Sequence, residues 1–137
     1  MSQVRELEKI GFVKVGKWYF NEKGQLSFVI NKMEKERVLY AFVIESEVKY
    51  IGSCEERKTT FKERMKRYKY KQGTGTNKRI HEKIESVFSK GKEVKIFAFC
   101  PSKNFKFKDL NIDLVRGLEY PLIERFNPEW NKAGKKR

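Results

Sequence analysis

Cysteine and histidine are scarce in this chain of 137 residues, with two of the first and one of the second. Cys54, Cys100 and His81 cannot supply the four-ligand Cys/His set of a structural zinc site within one chain. Any metal must then be held mainly by carboxylate oxygen, which favours Mg2+ or Mn2+. The chain also lacks any run of about 18 apolar residues, so no segment reads as a bilayer span. The opening stretch, MSQVRELEKIGF, has no apolar core of signal-peptide length. These absences predict a cytoplasmic protein whose cysteines are free thiols packed at strand ends. There is no internal repeat and no linker, and the length suits a single domain spanning 1–137.

Acidic residues are scarce as well. Asp and Glu number 18 against 32 Lys and Arg, a net charge of +14. So much unbalanced charge repels itself in a compact state, and a polyanion usually neutralises it. Nucleic acid is the first candidate. An anionic membrane surface is the second, but no strongly amphipathic apolar-cationic helix supports it.

Apolar material is sufficient for one core: 39% of residues are hydrophobic and 14% aromatic. VRELEKI suits a short helix ended by Gly11. WYF and LSFVI (18–30) read as two strands around a Gly-containing turn, and a charged connector follows from Lys32 to Arg37. VLYAFVI (38–44) is a continuous apolar run of strand length. Only ESE separates it from VKYIGSC (48–54), so the two strands must be antiparallel. Thr60 and Glu63 form a capping-box pattern opening a helix with Phe61, Met65 and Tyr68 on one face.

QGTGTN (72–77) reads as a flexible loop. Ile80, Ile84, Val87 and Phe88 mark a further helix, stopped by Gly91. EVKIFAFC (93–100) is a third central strand closed by Pro101, and NFKFKDL (104–110) suits an edge strand. Leu114, Val115, Leu118, Leu122, Ile123 and Phe126 fit a helical face, with a kink or break expected at Pro121. The end, NKAGKKR, is basic and expected to fray. The expected fold class is α/β, an α+β sandwich. It has a three-stranded antiparallel central sheet flanked by helices, with an N-terminal β-hairpin extension.

The positive charge is localised. Between Arg57 and Lys83 stand eleven Lys/Arg and two Glu, nine of the fourteen net charges. Arg57, Lys58, Lys66, Arg67, Lys69, Lys71 and Arg79 are candidate DNA contacts. Tyr68 and Tyr70 are interleaved among them, which suits a sugar-phosphate backbone and exposed bases. QGTGTNK is not a phosphate-binding G-x-x-x-x-G-K-[ST] loop, because one residue and not four separates Gly73 from Gly75. It suits a loop closing over a duplex, with Lys78 near a phosphate.

Cutting a phosphodiester requires an oriented oxygen nucleophile, neutralised phosphoryl charge and a stabilised leaving oxygen, all held in line. Arg supplies permanent planar charge, carboxylate holds Mg2+, and a Tyr hydroxyl can position or accept a proton. VLYAFVIESEVKYIG resembles the signature of the GIY-YIG nuclease family. Val38-Leu39-Tyr40 stands for the first element and Tyr50-Ile51-Gly52 for the second. FKERMKRY adds Arg64 and Tyr68 one helical turn apart. Glu119 is followed nine residues later by Pro128 and then by Trp130-Asn131, which resembles the family's C-terminal pattern. The resemblance covers a core of 38–131 behind an extension of 1–37. It is closest to the branch of phage endonuclease II and small restriction endonucleases.

That resemblance implies a metal-dependent endonuclease acting on double-stranded DNA, of a phage host-DNA-degrading or restriction type. Glu119 would hold one divalent metal, Mg2+ or alternatively Mn2+, against the scissile phosphate and the leaving 3′ oxygen. Tyr40 would orient or deprotonate the attacking water, with Tyr50 in the same cluster. Arg64 would neutralise phosphoryl oxygens, with Arg57 and Arg67 as alternatives for that part. Tyr68 would position water or phosphate, Lys78 would act at the phosphate or near the nucleophile, and Asn131 would brace the site. A salt bridge from Glu119 to Arg64 or Arg116 is the structural alternative for that carboxylate. His81, beside Ile80 and Ile84, reads as a partly buried residue or a member of the basic patch. Double-strand cleavage would favour a homo-dimer or tetramer. The other function class is a non-catalytic, basic nucleic-acid-binding module on the same fold.

Overall fold

The computed structural model describes residues 2–73 and 75–131. In chain order the elements are α1 (Gln3–Ile10), β1 (Val13–Phe20), β2 (Leu26–Ile30), β3 (Leu39–Ile44), β4 (Glu47–Ser53), α2 (Phe61–Lys69), α3 (Gly75–Ser89), β5 (Val94–Phe99), β6 (Lys106–Phe107), β7 (Leu110–Asn111) and α4 (Leu114–Phe126). The continuous apolar run of β3 makes it the organising strand, because every residue in it is buried. Alternation sends Tyr40, Phe42 and Ile44 to one face, where they pack with residues of α2 and α3 such as Phe61, Met65, Tyr68, Ile80 and Ile84. Leu39, Ala41 and Val43 face the other way, against Leu7 of α1 and Leu122, Ile123 and Phe126 of α4. A strand apolar on both sides needs a layer on each side, and the result is a helix–sheet–helix sandwich.

The sheet has five antiparallel strands, in the order β2-β1-β5-β3-β4. The three expected central strands, β5, β3 and β4, are adjacent as the sequence suggests. The expected total of three falls short because the N-terminal hairpin is part of the sheet. Its strand β1 pairs with the free edge of β5 and buries Val15 and Trp18 completely. Leaving that edge of β5 open would expose a row of unpaired backbone groups.

Local signals fixed most boundaries. Gly11, at φ 132°, terminates α1. The Thr60–Glu63 capping box opens α2 as the sequence predicts. Other expectations are corrected. NFKFKDL does not join the main sheet, because β6 and β7 pair only with each other in a separate hairpin. The loop expected over 72–77 is shorter, since α3 already starts at Gly75. Pro121 lies inside α4 without breaking it. Proline removes one backbone hydrogen bond there, and the burial of Leu122, Ile123 and Phe126 immediately after it holds the helix in place. Of the basic tail NKAGKKR, residues 132–137 lie outside the described residues.

Candidate active site

β4 is an edge strand, and the chemistry collects at its C-terminal end. Helices from both faces of the sheet reach this end: α2 brings Arg64, and α4 brings Glu119. Both line one cleft of about 220 Å3, together with Ser53, Glu55, Glu56 and Arg67. A β-strand whose side chains alternate between the faces can supply groups to both helices at once. Tyr50 points to the α2 side, and Ser53 donates to Glu119 Oε1 at 2.8 Å.

Behind Arg64 lies a chain of tyrosine hydroxyls. Arg64 Nε donates to Tyr40 Oη at 3.2 Å, the Tyr40 and Tyr68 hydroxyls are 2.6 Å apart, and Tyr68 donates to Tyr50 Oη at 3.2 Å. Each hydroxyl has one proton to give. Since Tyr68 gives its proton to Tyr50, Tyr40 gives its own to Tyr68, and Tyr50 alone keeps an uncommitted O–H. Tyr40 and Tyr68 are wholly buried, whereas Tyr50 retains 6% exposure. Burial raises the pKa of all three hydroxyls above the ordinary phenol value, so they stay protonated. The surrounding tyrosine oxygens, Tyr40 first, keep the Arg64 guanidinium firmly charged. Its guanidinium carbon also sits 5.1 Å from the Tyr68 ring centroid, a cation–π contact.

Gly52 belongs to the same cluster for a steric reason. A Cβ there would come within 2.5 Å of the Tyr40 ring and hydroxyl. The close approach of Tyr40 to the neighbouring strand therefore depends on a residue without a side chain.

Glu119 carries the acidic end. Partial burial and the Glu55 carboxyl beside it push its pKa up to about 7, against the lowering effects of Ser53 and Arg64. No salt bridge joins Glu119 to Arg64 or Arg116 among the described residues, so the structural alternative of an ion pair does not apply.

The groups hydrogen-bonded beside Glu119 are oxygens, the Glu55 carboxyl and the Ser53 hydroxyl. Among the described residues no group of three or more His, Cys, Asp or Glu could form a closed metal cage. A hard divalent cation that keeps several of its own waters fits such a half-open site, and it would relieve the apposition of two carboxylates.

Asn131 closes the edge of β4. Its amide donates to Ile51 O at 2.8 Å and accepts from Ile51 N at 2.9 Å, as a neighbouring strand would. Trp130 N donates to Lys49 O at 2.9 Å, and Arg79 in turn donates to Trp130 O at 2.7 Å. Asn131→Ala leaves two buried backbone groups of β4 unpaired, and we expect a loss of about 3 kcal/mol of stability. A lowered midpoint at unchanged slope in urea unfolding would report it.

Three participants escaped sequence reasoning. Ser53 and Glu55 follow the second tyrosine motif with no spacing to mark them. Arg37 donates to Cys54 O at 3.0 Å and Glu55 O at 2.7 Å, and it pairs with Asp113, the N-cap of α4, at 3.1 Å. It thereby ties the loop bearing Glu55 to the helix bearing Glu119. His81 is buried, with Nδ1 2.9 Å from Tyr68 O, and steadies the backbone of that tyrosine.

The candidate DNA contacts divide by position. Lys58, Lys66 and Lys71 are exposed, and Lys69 lies over the Tyr70 ring. Arg67 pairs with Glu56 at 3.2 Å at the rim of the cleft. Arg57 lines a neighbouring cleft instead. Lys78 is exposed on the first turn of α3 and takes no part in the tyrosine hydrogen bonds.

No protein-family model and no curated protein matches the sequence. A solved structure of a mutant of bacteriophage T4 EndoII does match, with a TM-score of 0.69 over 95% of this chain and 99% of that one. The chain has the fold of EndoII. Sequence identity over the match is 22%, so the likeness lies in the architecture. The match runs across nearly the whole of both chains. No helix among the described residues is long and apolar enough to cross a membrane.

Proposed function

We propose that the protein is a metal-dependent DNA endonuclease of the GIY-YIG type, acting on double-stranded DNA in a phage or restriction setting in the cytoplasm. One observation carries the reading: Arg64 and Glu119, from helices on opposite faces of the sheet, meet in one cleft with the tyrosine hydroxyls behind them. A fold shared with EndoII and a strongly basic surface support it.

In this reading the scissile phosphate enters the cleft and its non-bridging oxygens meet the terminal nitrogens of Arg64, whose Nε is already held by Tyr40. Glu119 would hold the cation, with Glu55 beside it and Ser53 fixing the carboxylate. A bound Mg2+ or Mn2+ supplies Lewis-acid charge for the phosphoryl group and the leaving oxygen. Tyr50, with its unspent O–H and residual exposure, is better placed than Tyr40 to meet the attacking water. Tyr40 and Tyr68 fix its direction. The lysines of α2 and the loop after it hold the flanking backbone, and Lys78 follows at the start of α3. One cleft cuts one strand, so double-strand cleavage calls for a homo-dimer or tetramer.

A non-catalytic binding module would need the lysines but not two carboxylates side by side in a cleft, which repel DNA unless a cation lies between them. Supercoiled plasmid separates the two readings. With Mg2+ it should be relaxed or linearised, and with EDTA it should be shifted on a gel at low salt but not cut. Salt-sensitive binding with intact plasmid under both Mg2+ and Mn2+ would refute the nuclease.

A further inference from the structure

The β6–β7 hairpin, corrected above from an edge strand, is the most conspicuous feature that the cleft leaves unused. It is a two-residue turn, Lys108-Asp109, between two very short strands. Phe107 and Leu110 are cross-strand neighbours at its tip, and each is about 60% exposed. Two large apolar side chains side by side on a projecting turn are costly in water and call for a partner. Lys106 and Lys108 flank them within the same hairpin, beside Asp109, and Lys108 Nζ lies 5.6 Å from the Phe107 ring centroid, whereas Lys103 pairs with Glu36 at 3.1 Å.

The base of the hairpin, at Asn111 and Ile112, lines a second cleft of about 540 Å3 with Lys35, Arg37, Arg57 and Lys103; Arg37 pairs there with Asp113 and Lys103 with Glu36, which leaves Lys35 and Arg57 as its excess of positive charge. Arg57 continues the same loop whose Glu55 and Glu56 line the catalytic cleft, so the two clefts adjoin. The second cleft, with an excess of positive charge, therefore adjoins both the candidate cutting site and the apolar tip.

We propose that this hairpin is a DNA wedge: its Phe107 and Leu110 press between base steps beside the cut, while the cationic cleft behind it holds the phosphates of the same strand. The proposal rests on the nuclease reading. The excess positive charge of the tip and of the second cleft selects a polyanion, and the apolar pair supplies what unstacks a base step, a cost offset by the added contact. Kinking the duplex here opens the backbone toward Arg64 and Glu119, and it favours flexible pyrimidine–purine steps without any base-specific hydrogen bond.

The test uses the full chain. The cut position is first mapped by sequencing the product ends, and duplexes are then made with 2-aminopurine at the flanking steps. Bound by the cleavage-silenced Glu119→Gln protein, such duplexes should brighten several-fold. With Phe107→Ser and Leu110→Ser added, the brightening should vanish and binding weaken about 10-fold, and in the unsilenced chain the pair should lower nicking about 10-fold. Both positions are exposed, so far-ultraviolet circular dichroism and melting temperature should stay unchanged.

Equal brightening and equal nicking with and without the tip residues would overturn the wedge while leaving the nuclease intact. A fall in solution mass of the tip variant, measured by light scattering without DNA, would also overturn it, because the tip would then be covered by another copy of the chain. A parent protein that neither binds nor nicks DNA would overturn both the nuclease reading and the wedge.

Discussion

Glu119→Gln should lower plasmid nicking by about 1,000-fold while leaving the fold and DNA binding in place. On the proposed reading, loss of the half-buried carboxylate of the cleft removes the anchor of the cation, and several kcal/mol of transition-state charge stabilisation corresponds to about three factors of ten. Glutamine is the right replacement, because it copies the shape of the protonated acid and can still accept from Ser53, which lies 2.8 Å from Glu119 Oε1. The same residue gives the metal-free protein a defined pH response. Burial, with Glu55 alongside, raises the Glu119 pKa to about 7 in the folded state. The native state therefore holds a proton that the unfolded chain has already released above the ordinary carboxylate range. Stability contributed by this group is present below that range and is lost as pH rises through about 7. Protons and metal compete for one carboxylate, so Mg2+ should raise the melting temperature more at pH 8 than at pH 5. In Glu119→Gln both the pH response and most of the Mg2+ response should disappear. A variant that nicks as well as the parent, or that keeps the full Mg2+ shift, would remove Glu119 from the metal site.

How far these features could be read from the sequence depended on the range of the interactions behind them. Thr60 with Glu63, Gly11 and the unbroken apolar run of β3 act within a few residues, and each appears in the structure where its local chemistry requires. Registering β1 against β5 depends on contacts about 80 residues apart, and alternation in β1 cannot say which edge it joins. NFKFKDL alternates like a strand, but its β-pattern is satisfied within its own two-residue hairpin. The site shows the same division. Tyr40, Tyr50, Arg64 and Tyr68 form one hydrogen-bonded chain, and Glu119 shares the cleft with Arg64. Glu55 and Arg37 act through proximity in space alone, since nothing in their neighbours distinguishes a loop carboxylate or a connector arginine. The glycine of Tyr50-Ile51-Gly52 has a steric explanation that needed coordinates: it makes room for the Tyr40 ring.

Arg57 and Arg67 are rivals to Arg64 for the phosphoryl part, and the surroundings of the three differ. Arg67 pairs with Glu56 and reaches Thr59, whereas Arg57 is exposed in the adjoining cleft. Arg64 alone is fixed by both a Tyr40 hydroxyl and the Tyr68 ring. That preorganisation leaves its two terminal nitrogens for a phosphoryl group and requires no rearrangement in the transition state. Arg64→Ala should therefore lower single-turnover nicking by about 1,000-fold, within the range seen when an arginine that stabilises phosphoryl transfer is removed. Arg64→Lys should recover little of it, because lysine has no Nε–H for Tyr40 and no planar fork for two phosphate oxygens. Arg57→Ala should instead weaken DNA binding and shallow its salt dependence by about one counterion, with the rate at saturating protein nearly unchanged. Urea midpoints for all three variants guard against loss of fold. If Arg67→Ala or Arg57→Ala lowers the saturated rate more than Arg64→Ala does, the phosphoryl arginine has been misassigned, and the tyrosine chain behind Arg64 is left with a purely structural part.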